Sequence, residues 1–122
     1  MFNGNKNNKL IRYFFVLTTA TVLIWYSCKK NEYKHLDCSK LDSSYNNVIK
    51  PIIDGNCNYS SCHHAGSTFG DFTTYAGLQA AANSGQLNQR VIVKQDMPEN
   101  GKLSLDDRKK IKCWIDNGAL NN

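Results

Sequence analysis

From position 45 the apolar residues Tyr45, Val48, Ile49, Ile52 and Ile53 recur at steps of three and four, the period of a helix with one buried face. Ser43 or Ser44 stands where a side-chain oxygen caps such a helix, and Gly55 offers a stop just before Cys57. Pro51 falls inside the pattern and removes a backbone donor, so it either kinks the helix or opens a shorter one. A second helix is expected over 75–84, with Thr73 or Thr74 as its cap, Gly85 as its terminator and small residues at Ala76, Ala80, Ala81 and Ala82 for close packing. Arg90-Val91-Ile92-Val93 is too short for periodicity to choose between a strand and the end of a helix. The last element is the best defined. Ser104 precedes Leu105-Asp106-Asp107, a capping serine with an acid at the third helical position. Acids at the start and Lys109, Lys110 and Lys112 further along suit the helix dipole. Ile111, Trp114 and Ile115 form a narrow apolar stripe, and Gly118 ends it. The pattern predicts an all-α domain of three to four short helices. Residues 58–72 and 94–102 are left as long loops, and in a compact domain such loops wrap something or do something.

Upstream the pattern is different. Lys6, Lys9 and Arg12 precede an apolar run over 13–26, shorter than the ~20 residues that span a bilayer. A basic start, a short apolar stretch and a small residue before the break read as a secretory signal peptide over 1–27. Leu23-Ile24-Trp25-Tyr26-Ser27-Cys28 resembles a lipobox, in which a small residue precedes a cysteine that is lipidated and becomes the new N-terminus. Cys28 is then the lipidation site, and the polar tract 28–43 is the tether to a domain over 44–122. A plain secreted protein or an uncleaved anchor is the alternative.

Charge changes little once the leader is set aside. The full chain carries a formal +5, but three of its 15 basic residues lie in the leader; from Lys29 on, 12 Lys and Arg face 10 Asp and Glu. A net +2 gives no electrostatic case for nucleic acid. Roughly ninety residues make a single small domain, of the size that draws on a disulfide, a metal or a large cofactor for stability.

Cysteine supplies candidates for all three. Cys57-Asn58-Tyr59-Ser60-Ser61-Cys62-His63 places two thiols ahead of an imidazole, the set needed to attach a c-type haem: the thiols add to the porphyrin vinyls and the next residue ligates the iron. The usual motif has two residues between its cysteines and this one has four, with turn-tolerant Asn58, Ser60 and Ser61 to form a bulge. Met97, on the Pro/Gly-bounded loop Asp96-Met97-Pro98-Glu99-Asn100-Gly101, is the one methionine outside the leader and a candidate distal ligand.

Taken in order, Pro51-Ile52-Ile53, Cys57 through His63, Thr74-Tyr75, Met97 through Gly101 and Trp114 through Ala119 resemble the small class I cytochrome c domains of bacterial lipoproteins, over the 78 residues 45–122. The resemblance implies a cytochrome c-like fold around one covalent haem c, with Cys57 and Cys62 as thioethers and His63 and Met97 as axial iron ligands. It also implies that the N-terminal helix crosses the C-terminal one through Ile52, Ile111 and Ile115, and that Phe72, Leu78 and Trp114 are walls of the haem crevice. His64 receives no haem-ligand role, and His35, in the tether, is the alternative to Met97 for a bis-histidine site.

Cys38 and Cys113 remain, and in an oxidising compartment two unassigned cysteines tend to pair, which makes them a candidate disulfide. The function expected is outer-sphere single-electron transfer by an electron carrier, not an enzyme. It would be exported and lipid-anchored to a bacterial membrane, on the periplasmic side or at the outer membrane. Its partners would be a respiratory complex, another cytochrome or an oxidoreductase. Two rivals stand beside it. One is a cofactor-free interaction module stapled by Cys57–Cys62 and Cys38–Cys113 disulfides. The other is a zinc site from Cys57, Cys62 and His63 or His64, with a fourth ligand such as Cys113.

Overall fold

The computed structural model describes residues 32–99, 101 and 103–122. The segment 1–27, expected to be a signal peptide, and Cys28, the expected lipidation site, lie outside the described residues. Among the described residues every regular element is helical, no β-strand is present, and no helix is long and apolar enough to cross a membrane. The chain divides into Met1–Leu36 and the compact unit Asp37–Asn122. Of the first unit the described part is a short turn, closed by the Leu36 N–H on the Tyr33 carbonyl at 3.3 Å.

The compact unit opens on a single 3-10 turn, Cys38–Lys40, capped by the Asp37 carboxylate. Helix α1 (Tyr45–Ile49) is a π-helical turn that runs straight into α2 (Lys50–Asn56). Pro51 explains the change of winding. It sits in the first turn of α2, where its missing N–H costs nothing, and the wider preceding turn keeps its ring away from the upstream carbonyls. The Val48 and Ile49 N–H groups accordingly share the Ser44 carbonyl, both at 3.1 Å. Gly55 is not the terminator expected from the sequence: α2 runs through it to Asn56, and Cys57 ends the helix.

Helix α3 (Tyr75–Asn83) starts at Thr74, whose side chain accepts from the Gly77 N–H, and Gly85 follows it at φ +77°. The ambiguous apolar run belongs to α4 (Asn88–Val93), which is π-helical, in keeping with the poor fit of consecutive β-branched residues to a regular turn. Helix α5 (Leu105–Asp116) is capped by Ser104, which accepts from the Asp107 N–H at 3.0 Å and donates to the Asp107 carboxylate at 2.8 Å.

Both α1 and α4 pack on α5. Ile49, Ile53, Leu78, Ile111, Cys113 and Trp114 are closed off from solvent, and each large aliphatic among them contributes about 1.5–3 kcal/mol by its burial. Where the first helix meets the last, Tyr45 lies 5.9 Å from Trp114 between ring centroids; Ile111 is fully buried, while Ile52 and Ile115 are half-buried. Cys113 is fully buried on the core side of α5 and is bonded to Cys38, with their Cα atoms 5.3 Å apart. The stretch read as tether is therefore fixed covalently to the last helix at Cys38. Tyr75 on α3 donates to the Ala119 carbonyl at 2.8 Å and meets Tyr45 edge-on at 4.9 Å, tying α3 into the same core.

Candidate functional site

Helix α2 delivers the first thiol. The Cys57 N–H bonds to the Ile53 carbonyl at 2.8 Å and leaves the side chain buried at the helix end. Burial, helped by the neighbouring Cys62 and Asp54, pushes the Cys57 thiol up from its ordinary 9.0 to about 11. At neutral pH it is a thiol.

The residues after it form the bulge that the four-residue spacing calls for. The Cys62 N–H closes a turn on the Tyr59 carbonyl at 2.9 Å, while the Tyr59 hydroxyl donates back to the Gly55 carbonyl at 2.6 Å. Asn58 Nδ2 donates to the Asp54 carboxylate at 2.6 Å and to the Phe72 carbonyl at 3.2 Å. The two extra residues are thus taken up by a turn tied to α2, and the His63 N–H returns to the Cys57 carbonyl at 3.2 Å. Cys57, Cys62 and His63 therefore share one closed loop, and both thiols are free.

The ring of His63 is held in two ways. Its Nδ1 is 3.2 Å from the Gly70 carbonyl; a carbonyl only accepts, so Nδ1 carries a hydrogen, and in the neutral imidazole the free lone pair is then on Nε2. One face of the imidazole stacks on Phe72, with ring centroids 3.9 Å apart and planes 4° from parallel. Gly70 is required there: at φ +102°, a β-carbon on it would sit 3.3 Å from the Phe72 ring and 3.9 Å from His63 Nδ1. The adjacent His64 bonds through Nδ1 to the Ala65 carbonyl at 2.8 Å.

Met97 is half-buried on the loop after α4. An open pocket of about 210 Å³ is lined by Pro98 and Gly101 of this loop together with Asn56 at the end of α2 and Tyr59 of the cysteine loop. Of the residues expected to wall a haem crevice, none lines this pocket. Leu78 and Trp114 are sealed in the core, where Trp114 Nε1 donates to the Leu120 carbonyl at 2.9 Å, and Phe72 is the stacking partner of His63. Among the described residues no group of three or more His, Cys, Asp and Glu side chains is gathered as a metal site.

Sequence reasoning did not single out Gly70 or the bonds of Asn58, since neither carries a motif signal; a backbone carbonyl that orients a side chain seven residues away leaves no trace in residue type. Compared with protein-family models, with curated proteins and with solved structures, the chain matches none.

Proposed function

We propose that this chain is an exported, membrane-anchored c-type monohaem cytochrome that carries single electrons between redox proteins. The observation that carries the reading is the preparation of His63: Nδ1 is committed to the Gly70 carbonyl, the ring is clamped against Phe72, and Nε2 stays available as a ligand, directly after two free thiols. The donor set fits a haem c. Cys57 and Cys62 would hold it covalently as thioethers. His63 and Met97 would be the axial ligands. When bound, the haem supplies the one-electron iron couple. What the chain's own residues do is hold the imidazole in one tautomer and one orientation, so that little must rearrange when the charge changes. A thioether sulfur among the iron ligands would favour the reduced form. The leader and Cys28 support a lipid anchor, which would keep the carrier at a membrane surface close to a respiratory complex, another cytochrome or an oxidoreductase.

The test is a pyridine haemochrome spectrum with a haem-stained denaturing gel, on protein exported from a host that matures c-type cytochromes and on protein from its native source. Haem that survives denaturation, with the spectrum of two saturated vinyls, is the expected result. Met97→Ala should then abolish the red-edge sulfur-to-iron charge-transfer band, and an unchanged band would remove Met97 from the ligand set. Colourless native protein with Cys57 bonded to Cys62 would overturn the cytochrome reading in favour of the disulfide-stapled module.

A further inference from the structure

The loop that bears Met97 is held by a contact that the electron-transfer reading does not use. Arg90 lies on α4, whose neighbouring residues Val91 and Ile92 are 4% and 5% exposed, so its backbone belongs to a rigid element. From there it grips Asp96 twice: Arg90 Nε donates to Asp96 Oδ1 at 2.8 Å, and the Asp96 N–H donates to the Arg90 carbonyl at 3.1 Å. Between them Gln95 stands at φ +56°, a left-handed conformation that a residue with a β-carbon adopts only against a cost. Strain of that kind persists where the surroundings over-determine the backbone, and such places cluster at ligand clamps. Met97 is the next residue after the double grip. On the far side of the loop Leu103 is 5% exposed, and Ser104 caps α5. The loop is therefore anchored at both ends, and the anchor on the methionine side is the Arg90–Asp96 pair.

We infer that Arg90 and Asp96 are positioning residues: their pair latches the loop in the conformation that presents the Met97 sulfur as distal ligand. The inference rests on the haem reading above. Both side chains are about two-fifths exposed, at 42% and 43%, so the pair adds little to global stability. Its effect falls on the balance between a loop that offers the methionine and one that does not, which an external ligand can report.

The probe is imidazole, titrated against the oxidised haem-loaded full chain while the charge-transfer band is followed. Arg90→Ala should tighten imidazole binding by roughly two- to fivefold, the range an exposed ion pair supports, and weaken the band at zero imidazole. Asp96→Asn, which keeps shape and the backbone bond, should shift affinity in the same direction by less, and guards against a folding defect in Arg90→Ala. Lys112→Ala, which removes another exposed ion pair, to Asp116 on α5, should leave imidazole affinity at the wild-type value. Wild-type affinity in both loop variants would overturn the latch while leaving the cytochrome intact. Equal tightening in Lys112→Ala would overturn it too, as a general loss of stability. Wild-type protein that binds haem but lacks the band overturns Met97 as ligand and the latch with it.

Discussion

A β-carbon built on Gly77 would lie 1.7 Å from the backbone oxygen of Asp71, and backbone cannot move aside as a flexible side chain can. Gly77 also donates its N–H to the Thr74 cap, so the start of α3 is laid directly against the loop that carries His63 and Phe72. Gly77→Ala is expected to destabilise the fold by more than ~3 kcal/mol or to prevent folding, whereas Gly55→Ala has open space around it and should stabilise α2 by about 0.5–1 kcal/mol. Urea unfolding of the two variants separates them, and similar midpoints would refute the close approach. Cys57 gives a second prediction at this scale. Its thiol stays protonated up to about pH 11, while in the unfolded chain it ionises near its ordinary 9.0. The unfolded state therefore binds fewer protons between those values, so haem-free protein should lose stability as pH rises from 9 to 11 and gain none on acidification from 9 to 7 through this group. Alkylation of Cys57 by iodoacetamide should accelerate over the same interval, and a rate that levels off near pH 9 would show an exposed thiol instead.

Helix ends are where sequence and structure agree most closely. Thr74 and Ser104 both cap as their residue types demand, and Ser104→Ala should cost about 1 kcal/mol, read as a shift in thermal midpoint. The start of α1 is different. Ser44 makes no side-chain cap there; the Tyr45 N–H is bonded to Asn122 Oδ1 and the Asn46 N–H to the Asn122 carbonyl, both at 2.9 Å. A residue 77 positions away supplies the cap. Asn122→Ala should therefore destabilise α1 by about 0.5–1 kcal/mol, where Ser44→Ala should change it less. The reverse order in a paired unfolding experiment would contradict the arrangement. Pro51 shows the same limit from another side. Its presence announced an irregularity, but residue type alone did not say whether the chain would widen or bend; it widens, with the Val48 and Ile49 N–H groups sharing the Ser44 carbonyl.

At the scale of the molecule the disulfide links residues 75 apart, joining the segment before α1 to the core face of α5. Replacing both cysteines by serine should lower stability by about 2–4 kcal/mol, since a long loop is no longer closed in the unfolded chain. The loop of Cys57, Cys62 and His63 does not depend on this bond for its own hydrogen bonds. The double variant should therefore keep its haem content below its lowered melting temperature, as haem stain and absorbance would report.

The division between sequence and tertiary structure follows range. Helical character over 45–56, 75–83 and 105–116 and the caps at Thr74 and Ser104 come from patterns within a few residues, where side-chain period and local hydrogen bonding decide, whereas the run 90–93 became helical only in the structure. The grouping of Cys57, Cys62 and His63 is likewise local, since adjacency alone brings them together. Longer-range choices were not legible. The approach of Tyr45 to Trp114, 5.9 Å between ring centroids, joins α1 to α5 across most of the domain, a contact no periodicity count resolves. Phe72 stacks on His63 because the chain between them folds back, the Phe72 N–H reaching the His63 carbonyl at 3.0 Å. The approach of the Pro98 loop to Asn56 and Tyr59, and the grip of Arg90 on Asp96, depend on how α4 is seated against α5. Residue types determined what chemistry this chain holds; the packing of its helices decided which groups orient that chemistry, because those contacts join positions that local pattern cannot relate.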